Sequence, residues 1–397
     1  MRFAFISSMA GSPWGGSEEL WSQAARRLSK EAHQVSACMP RWPEQSPKFL
    51  ALGRDGIRLH TQPRQLPLHV RAWKKLTAGL RQPPGEFIWV QRQKPDLAII
   101  SQGDNCDGLR WMEFFRDAQI PFVSLIQCNG AHWWPPDSLA GRMAAAYRAA
   151  RRVACVSRGN LEMLESQIGE PLLNSTVVWN PYNVPVDQPR DWPAVKGIWK
   201  MACVARLDPK AKGQDLLFQV LSHSRWKDRP VELNLYGGGI CEDGLRQLAE
   251  RFRLKNVRFH GHVNDVERIW EQNHILVLPS RYEGLPLALV EAMWCGRPAI
   301  VTDVAGNAEV CVDGQTGFVA DAPERELLEQ TLERAWNNRD DWLRMGFAAR
   351  ARAEKLIPRD PVGLFCQELQ EIAEVPHAAR AGAFAARGLL EQASNER

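Results

Sequence analysis

Short apolar runs alternate with amphipathic stretches along most of this chain. Phe3–Ser7 is a five-residue run that ends in small residues and meets a glycine-rich loop, Gly11–Gly16. Ser17 then stands where a helix N-cap belongs. Glu18 and Glu19 fill the first turn, favourable at the positive end of a helix, and Leu20, Trp21, Ala24 and Leu28 recur at helical spacing. Further strands are predicted over 34–38, 97–100, 121–126 and 152–156, with helices near 107–118 and 138–150. Residues 40–70 are proline-rich and carry no clear period. Four prolines between 181 and 198 interrupt the pattern and mark a linker. It then restarts: strands over 201–205, 232–236, 257–259, 275–278 and 299–301, with helices from about 215 and 242 and over 265–272 and 286–295. Strands that alternate with helices make a parallel sheet covered on both faces. The expected fold is therefore α/β, with two doubly wound, Rossmann-like domains facing across a cleft. The expected division is residues 1–185, residues 186–360, and a C-terminal helix and tail over 361–397 that packs back on the first domain.

Composition adds limits. A chain of 397 residues exceeds the usual size of one core, and 45% hydrophobic with 24% charged residues is ordinary for a soluble globular protein. No apolar run approaches the ~20 residues of a membrane span. Nine scattered cysteines, none in a CxxC pair, read as free thiols in a reducing cytoplasm. The net charge of +4 hides an asymmetry: residues 1–190 carry +7 and the remainder −3. Much of the excess lies in 54–94, including Arg71, Lys74, Lys75 and Arg81. Two readings stand, a solvated face or a patch for an anionic acceptor or the anionic inner membrane surface. Little aromatic character interleaves these charges, so no nucleic-acid partner is expected.

In such a fold, ligands bind at the carboxyl ends of the strands. Two motifs lie there. Ser280-Arg281-Tyr282-Glu283-Gly284-Leu285-Pro286 follows a strand, and Pro286 opens a helix. The N–H groups of Leu287 and Ala288, with Leu289 a third candidate, are unpaired donors suited to a phosphate. Glu283 precedes this helix, and Glu291 sits within it among apolar residues, where a carboxylate needs partners such as sugar or ribose hydroxyls. The second motif runs from Arg206 to Lys212-Gly213, where a guanidinium and an ammonium can converge on a diphosphate.

These motifs occur in order with Tyr236-Gly237-Gly238-Gly239, Phe259-His260-Gly261-His262-Val263, Gly296-Arg297-Pro298 and Asp313-Gly314-Gln315-Thr316-Gly317-Phe318. Over about 200–320 the chain closely resembles the retaining nucleotide-sugar glycosyltransferases of the GT-B fold, of the group 1 or family 4 type; the N-terminal half resembles them loosely. The resemblance implies transfer of a hexosyl group from a nucleoside-diphosphate sugar, UDP or GDP being the expected carrier, to a saccharide or lipid-linked saccharide. It implies retention of configuration and no metal or other cofactor. Arg206 and Lys212 would hold the diphosphate, Glu291 the ribose, and the amides of Leu287 and Ala288 the phosphate oxygens. Glu283 would contact the transferred sugar and act at the reaction centre, Gly284 would be among the donor contacts, and Val263 would lie at the nucleobase. Gly15 and Gly16 would bring amides from the other domain. A histidine beyond the strand at 121–126 is expected at the donor sugar; His132 is the candidate, with Gln127 nearer the usual place. Trp133 and Trp134 could line an acceptor cleft. Two further readings remain: a sugar-nucleotide epimerase of the same fold, and a non-catalytic sugar-nucleotide-binding subunit. The presence of both Glu283 and Glu291 argues against the second.

Overall fold

A computed structural model of the chain describes residues 1–9, 11–63, 84–187 and 190–375. Arg71, Lys74, Lys75 and Arg81 of the basic segment, and the tail from residue 376, lie outside the described residues.

Two parallel sheets form the frame. The first contains β1 (Arg2–Ser7), β2 (Gln34–Pro40), β3 (Arg58–Gln62), β4 (Leu97–Gln102), β5 (Phe122–Ile126), β6 (Arg152–Cys155) and β7 (Ser175–Val177), in the order 3-2-1-4-5-6-7. The second contains β8 (Trp199–Val204), β9 (Val231–Tyr236), β10 (Val257–Gly261), β11 (Ile275–Leu278), β12 (Ala299–Thr302) and β13 (Gly317–Ala320), in the order 10-9-8-11-12-13. Each sheet is buried on both faces. Phe3, Phe5, Leu97 and Ile99 side with one N-terminal core, and Ala4, Ile6, Ala98 and Ile100 with the other. The strand order reverses between β1 and β4 and again between β8 and β11. In doubly wound sheets, ligands bind in the crevices at such switch points, at the carboxyl ends of the strands.

Helix Glu19–Lys30 buries Leu20, Trp21, Ala24 and Leu28, as the spacing predicts. Its start differs. Gly16–Glu18 form a 3-10 turn, Ser17 makes no cap, and Glu18 turns inward to accept from Ser7 Oγ (2.7 Å) and Trp21 Nε1 (2.5 Å). Full burial raises this carboxyl to about 7, against the two hydrogen bonds that favour its ionised form.

Two chain segments cross between the domains. One is the linker from Asn180; buried Arg297 holds it by donating to the carbonyls of Arg190 and Asp191. The other precedes helix Pro361–Glu374, which returns to the first domain and buries Val362, Phe365, Leu369 and Ile372 in its core. Asp360 caps that helix at Gly363 N (2.8 Å) and pairs with Arg27 (2.5 Å). Tyr182 OH donates to Pro358 or Arg359 O, both 3.2 Å away, which ties the crossings together.

Candidate active site

The Glu283 motif leaves β11 and the Arg206 motif leaves β8, its neighbour in the sheet, so the strand order alone brings them together. Their backbones then interlock. Gly213 has φ +65°, and a Cβ there would lie 1.9 Å from Pro279 O, so only glycine lets the two loops approach this closely. Arg281 grips Asp215 with both guanidinium nitrogens (2.6 and 2.8 Å).

Glu283 is 5% exposed. Its Oε1 accepts from Lys212 Nζ at 2.6 Å and from Ser280 Oγ at 2.8 Å. The ammonium expected at a diphosphate is therefore also the counter-charge of the carboxylate. A mostly buried ion pair of this kind needs both members, because either alone would be an unpaired charge out of water. Arg206 is half-exposed, and its nearest counter-charge, Asp208, lies 4.0 Å away.

Helix Leu287–Trp294 starts one residue later than its motif suggests, with Pro286 as N-cap. Leu289 N already donates to Pro286 O (3.1 Å), so the first turn offers the amides of Leu287 and Ala288 and not a third. Gly16 lies against this turn, its would-be Cβ 3.2 Å from Leu287 Cδ1, so the N-terminal glycine loop does reach the helix end. Gly15 is extended, at φ −158°.

Glu291 is 4% exposed and has a partner that the sequence did not reveal. Its Oε1 accepts from both the backbone N and Nδ2 of Asn183, each at 3.0 Å. Burial raises its pKa to about 7; the two Asn183 bonds oppose the shift and nearby Glu19 adds to it. Val263 follows β10 and packs half-buried on the core beneath.

His132 stacks on Tyr282 across the cleft, with ring centroids 3.9 Å apart and Nε2 3.9 Å from Asp104 Oδ2. Gln127 directly follows β5 and is buried. Its Oε1 accepts from Asn180 Nδ2 (2.7 Å), while its Nε2 has no partner among the described residues. Beside it, burial first and then the Glu283 charge push the Cys128 thiol up to about 12. Trp134 is 57% exposed, and Trp133 packs on the core.

Gly284, expected among the donor contacts, is packed between the domains. A Cβ there would lie 2.1 Å from Gln127 O and 2.7 Å from Val156 Cγ2. Around it Asn129 and Glu283 form a β-bridge, and Asn160 Nδ2 donates to Glu283 O (3.1 Å). Glu309 of the second domain accepts from the amides of Arg158 (3.1 Å) and Gly159 (2.8 Å), capping helix Arg158–Ile168 of the first. Among the described residues, no three His, Cys, Asp or Glu side chains converge as metal ligands. None of the described helices is long and apolar enough to cross a membrane.

Two facing parallel-sheet domains with this cleft are the GT-B glycosyltransferase architecture. Residues 187–352 match the model of the family of glycosyl transferases group 1. An uncharacterised glycosyltransferase of Haemophilus influenzae is 30% identical over 145 residues, 36% of this chain and 41% of that protein. The poly(ribitol-phosphate) alpha-N-acetylglucosaminyltransferase of Staphylococcus aureus is 28% identical over 158 residues, 39% of this chain and 31% of that one. The chain thus spans less than half the length of these curated relatives. Anabaena HepE, solved in complex with UDP, superposes with a TM-score of 0.72 at 17% identity and covers 94% of this chain and 99% of its own.

Proposed function

We propose that this chain is a metal-independent glycosyltransferase. It would move a hexosyl group from a UDP-sugar, with retention of configuration, to a saccharide or lipid-linked saccharide. The observation that carries the reading is the convergence, at one helix N-terminus, of the Lys212–Glu283 pair and the amides of Leu287 and Ala288, with Glu291 less than two turns further along. The departing diphosphate gathers negative charge as the bond to the sugar breaks. Lys212, Arg206 and the helix amides stabilise that charge where it grows. Glu283 accepts from the transferred sugar, and the acceptor hydroxyl attacks on the face the diphosphate leaves, forming its bond to the anomeric carbon as the bond to the diphosphate breaks and passing its proton to the departing diphosphate oxygen. Gln127, with its free amide N–H, faces the sugar in place of His132, which is engaged by Tyr282. UDP is favoured over GDP by the complex of the structurally similar HepE.

The test is calorimetric titration of UDP-, GDP- and ADP-sugars. The reading expects one of them to bind, and Glu291→Ala and Arg206→Ala each to weaken it by about 1.5–3 kcal/mol, the usual range for charged hydrogen bonds. Unchanged affinity in both variants would sink the donor-site assignment. Turnover should survive EDTA, since positive side chains supply the charge that a metal supplies elsewhere. Loss of activity on chelation, restored by Mg²⁺ or Mn²⁺, would contradict this. The basic segment of the first domain suits an anionic or lipid-linked acceptor at the inner membrane face.

A further inference from the structure

Glu291 and Asn183 are 108 positions apart, on a buried helix of the second domain and on the crossing segment between the domains. Both Asn183 donors converge on one carboxylate oxygen, Oε1, which leaves Oε2 for a ligand. The same segment reaches the first domain through Asn180, which donates to Gln127 at the end of β5, and it is tied to the second crossing by Tyr182. Asn180, Tyr182 and Asn183 therefore touch the base of the proposed sugar site, the return crossing and the proposed ribose carboxylate.

We propose that Asn183 is a positioning residue of the donor site, which orients the Glu291 carboxylate for a ribose diol and keeps it in the ionised, accepting form. The inference rests on the donor reading given above. A diol offers donors, so it needs the carboxylate charged; a carboxylic acid would present a donor of its own at one oxygen. Burial works against the charge, and the two Asn183 donors are what opposes burial. Among the described residues, the charged groups on the surrounding elements do not do this work. Glu19, on the first-domain helix, repels. Arg350, on the packed helix Trp342–Leu356, is held by the carbonyls of Trp294 and Val186, and Arg359 pairs with Asp187 at the surface. Asn183 is itself exposed, so its truncation does not open the core.

The experiment is calorimetric binding of UDP-glucose between about pH 6 and about pH 8.5, a range in which its diphosphate diester does not titrate and a Glu291 shifted to about 7 does. With wild-type protein, affinity is expected to rise as pH passes 7 and then level off. Glu291→Gln is expected to be weaker and to lose that rise. Asn183→Ala removes a donor to the charged form, so its midpoint should move to higher pH by roughly one unit. Its affinity should be about tenfold lower than wild type near pH 6.5 and within about twofold near pH 8.5. An equal deficit at every pH would make Asn183 mere scaffold and overturn the inference, as would no deficit at all. If wild-type protein does not bind UDP-glucose at any pH, the UDP-sugar reading falls and the inference falls with it.

Discussion

A single methyl group at position 284 is expected to cost this protein most of its turnover while leaving most of its stability. In Gly284→Ala the added Cβ meets Gln127 O at 2.1 Å and Val156 Cγ2 at 2.7 Å. The first is backbone at the end of a central strand and cannot step aside as a flexible side chain would. Relief comes by parting the domains, and what lies at that seam is Glu283 itself, bridged to Asn129 and held at its carbonyl by Asn160. A displacement of about 1 Å at a reacting centre can cost about 100-fold in rate, so kcat/KM should fall at least that far. Each sheet keeps its own core, so the overpacking should cost only about 1–3 kcal/mol. Thermal melts beside steady-state kinetics read both numbers. An active Gly284→Ala would mean that the domains need not meet there for transfer.

Lys212→Ala should damage both stability and chemistry, and the two can be separated. The variant strands the Glu283 carboxylate, 7% exposed, with Ser280 as its remaining partner. Breaking a buried pair from one side typically costs about 3 kcal/mol or more. Neutralising the stranded partner in Lys212→Ala/Glu283→Gln should recover most of that stability, a coupling that a double-mutant cycle measures. Activity should not return, because the leaving diphosphate has lost its ammonium and the double variant also lacks the Glu283 carboxylate: kcat falls by about 100-fold or more in either variant, beyond any change in donor affinity. A Lys212→Ala protein with normal stability, or one impaired through KM alone, would show that the pair is incidental.

The central part of the second domain was legible because its inner strands β11 and β12 are fully buried and read as unbroken apolar runs, Ile275–Leu278 and Ala299–Thr302. The motifs sat at their ends. The strands missing from the sequence reading are edges, β3 and β7 of the first sheet and β13 of the second, and the helices Arg158–Ile168, Arg325–Asn337 and Trp342–Leu356 are missing with them. β3 reads Arg-Leu-His-Thr-Gln, and β7 has three partly exposed residues, so neither carries the apolar signature of a central strand. In the site, the glutamates and basic residues announce themselves by charge. Asn183, Asn160 and the Gln127 amide do not: an amide has no spacing rule, and each of these acts on a partner from a distant part of the chain. The Lys212–Glu283 pair lay between the two levels. Both residues were singled out, but their contact required the strand order.

The Glu309 carboxylate on the Arg158 and Gly159 amides has a bearing on which anions this protein can admit. Those amides would otherwise be a second positive helix terminus beside the cleft, open to any phosphate in solution. They are already filled by a ligand carried on the same chain, and a tethered ligand competes at an effective concentration on the order of millimolar. Free phosphate, nucleotides and anionic sugars at micromolar levels are outcompeted there. Under the donor reading proposed above, the helix terminus at Leu287 and Ala288 is the one of these two neighbouring sockets that receives an anion.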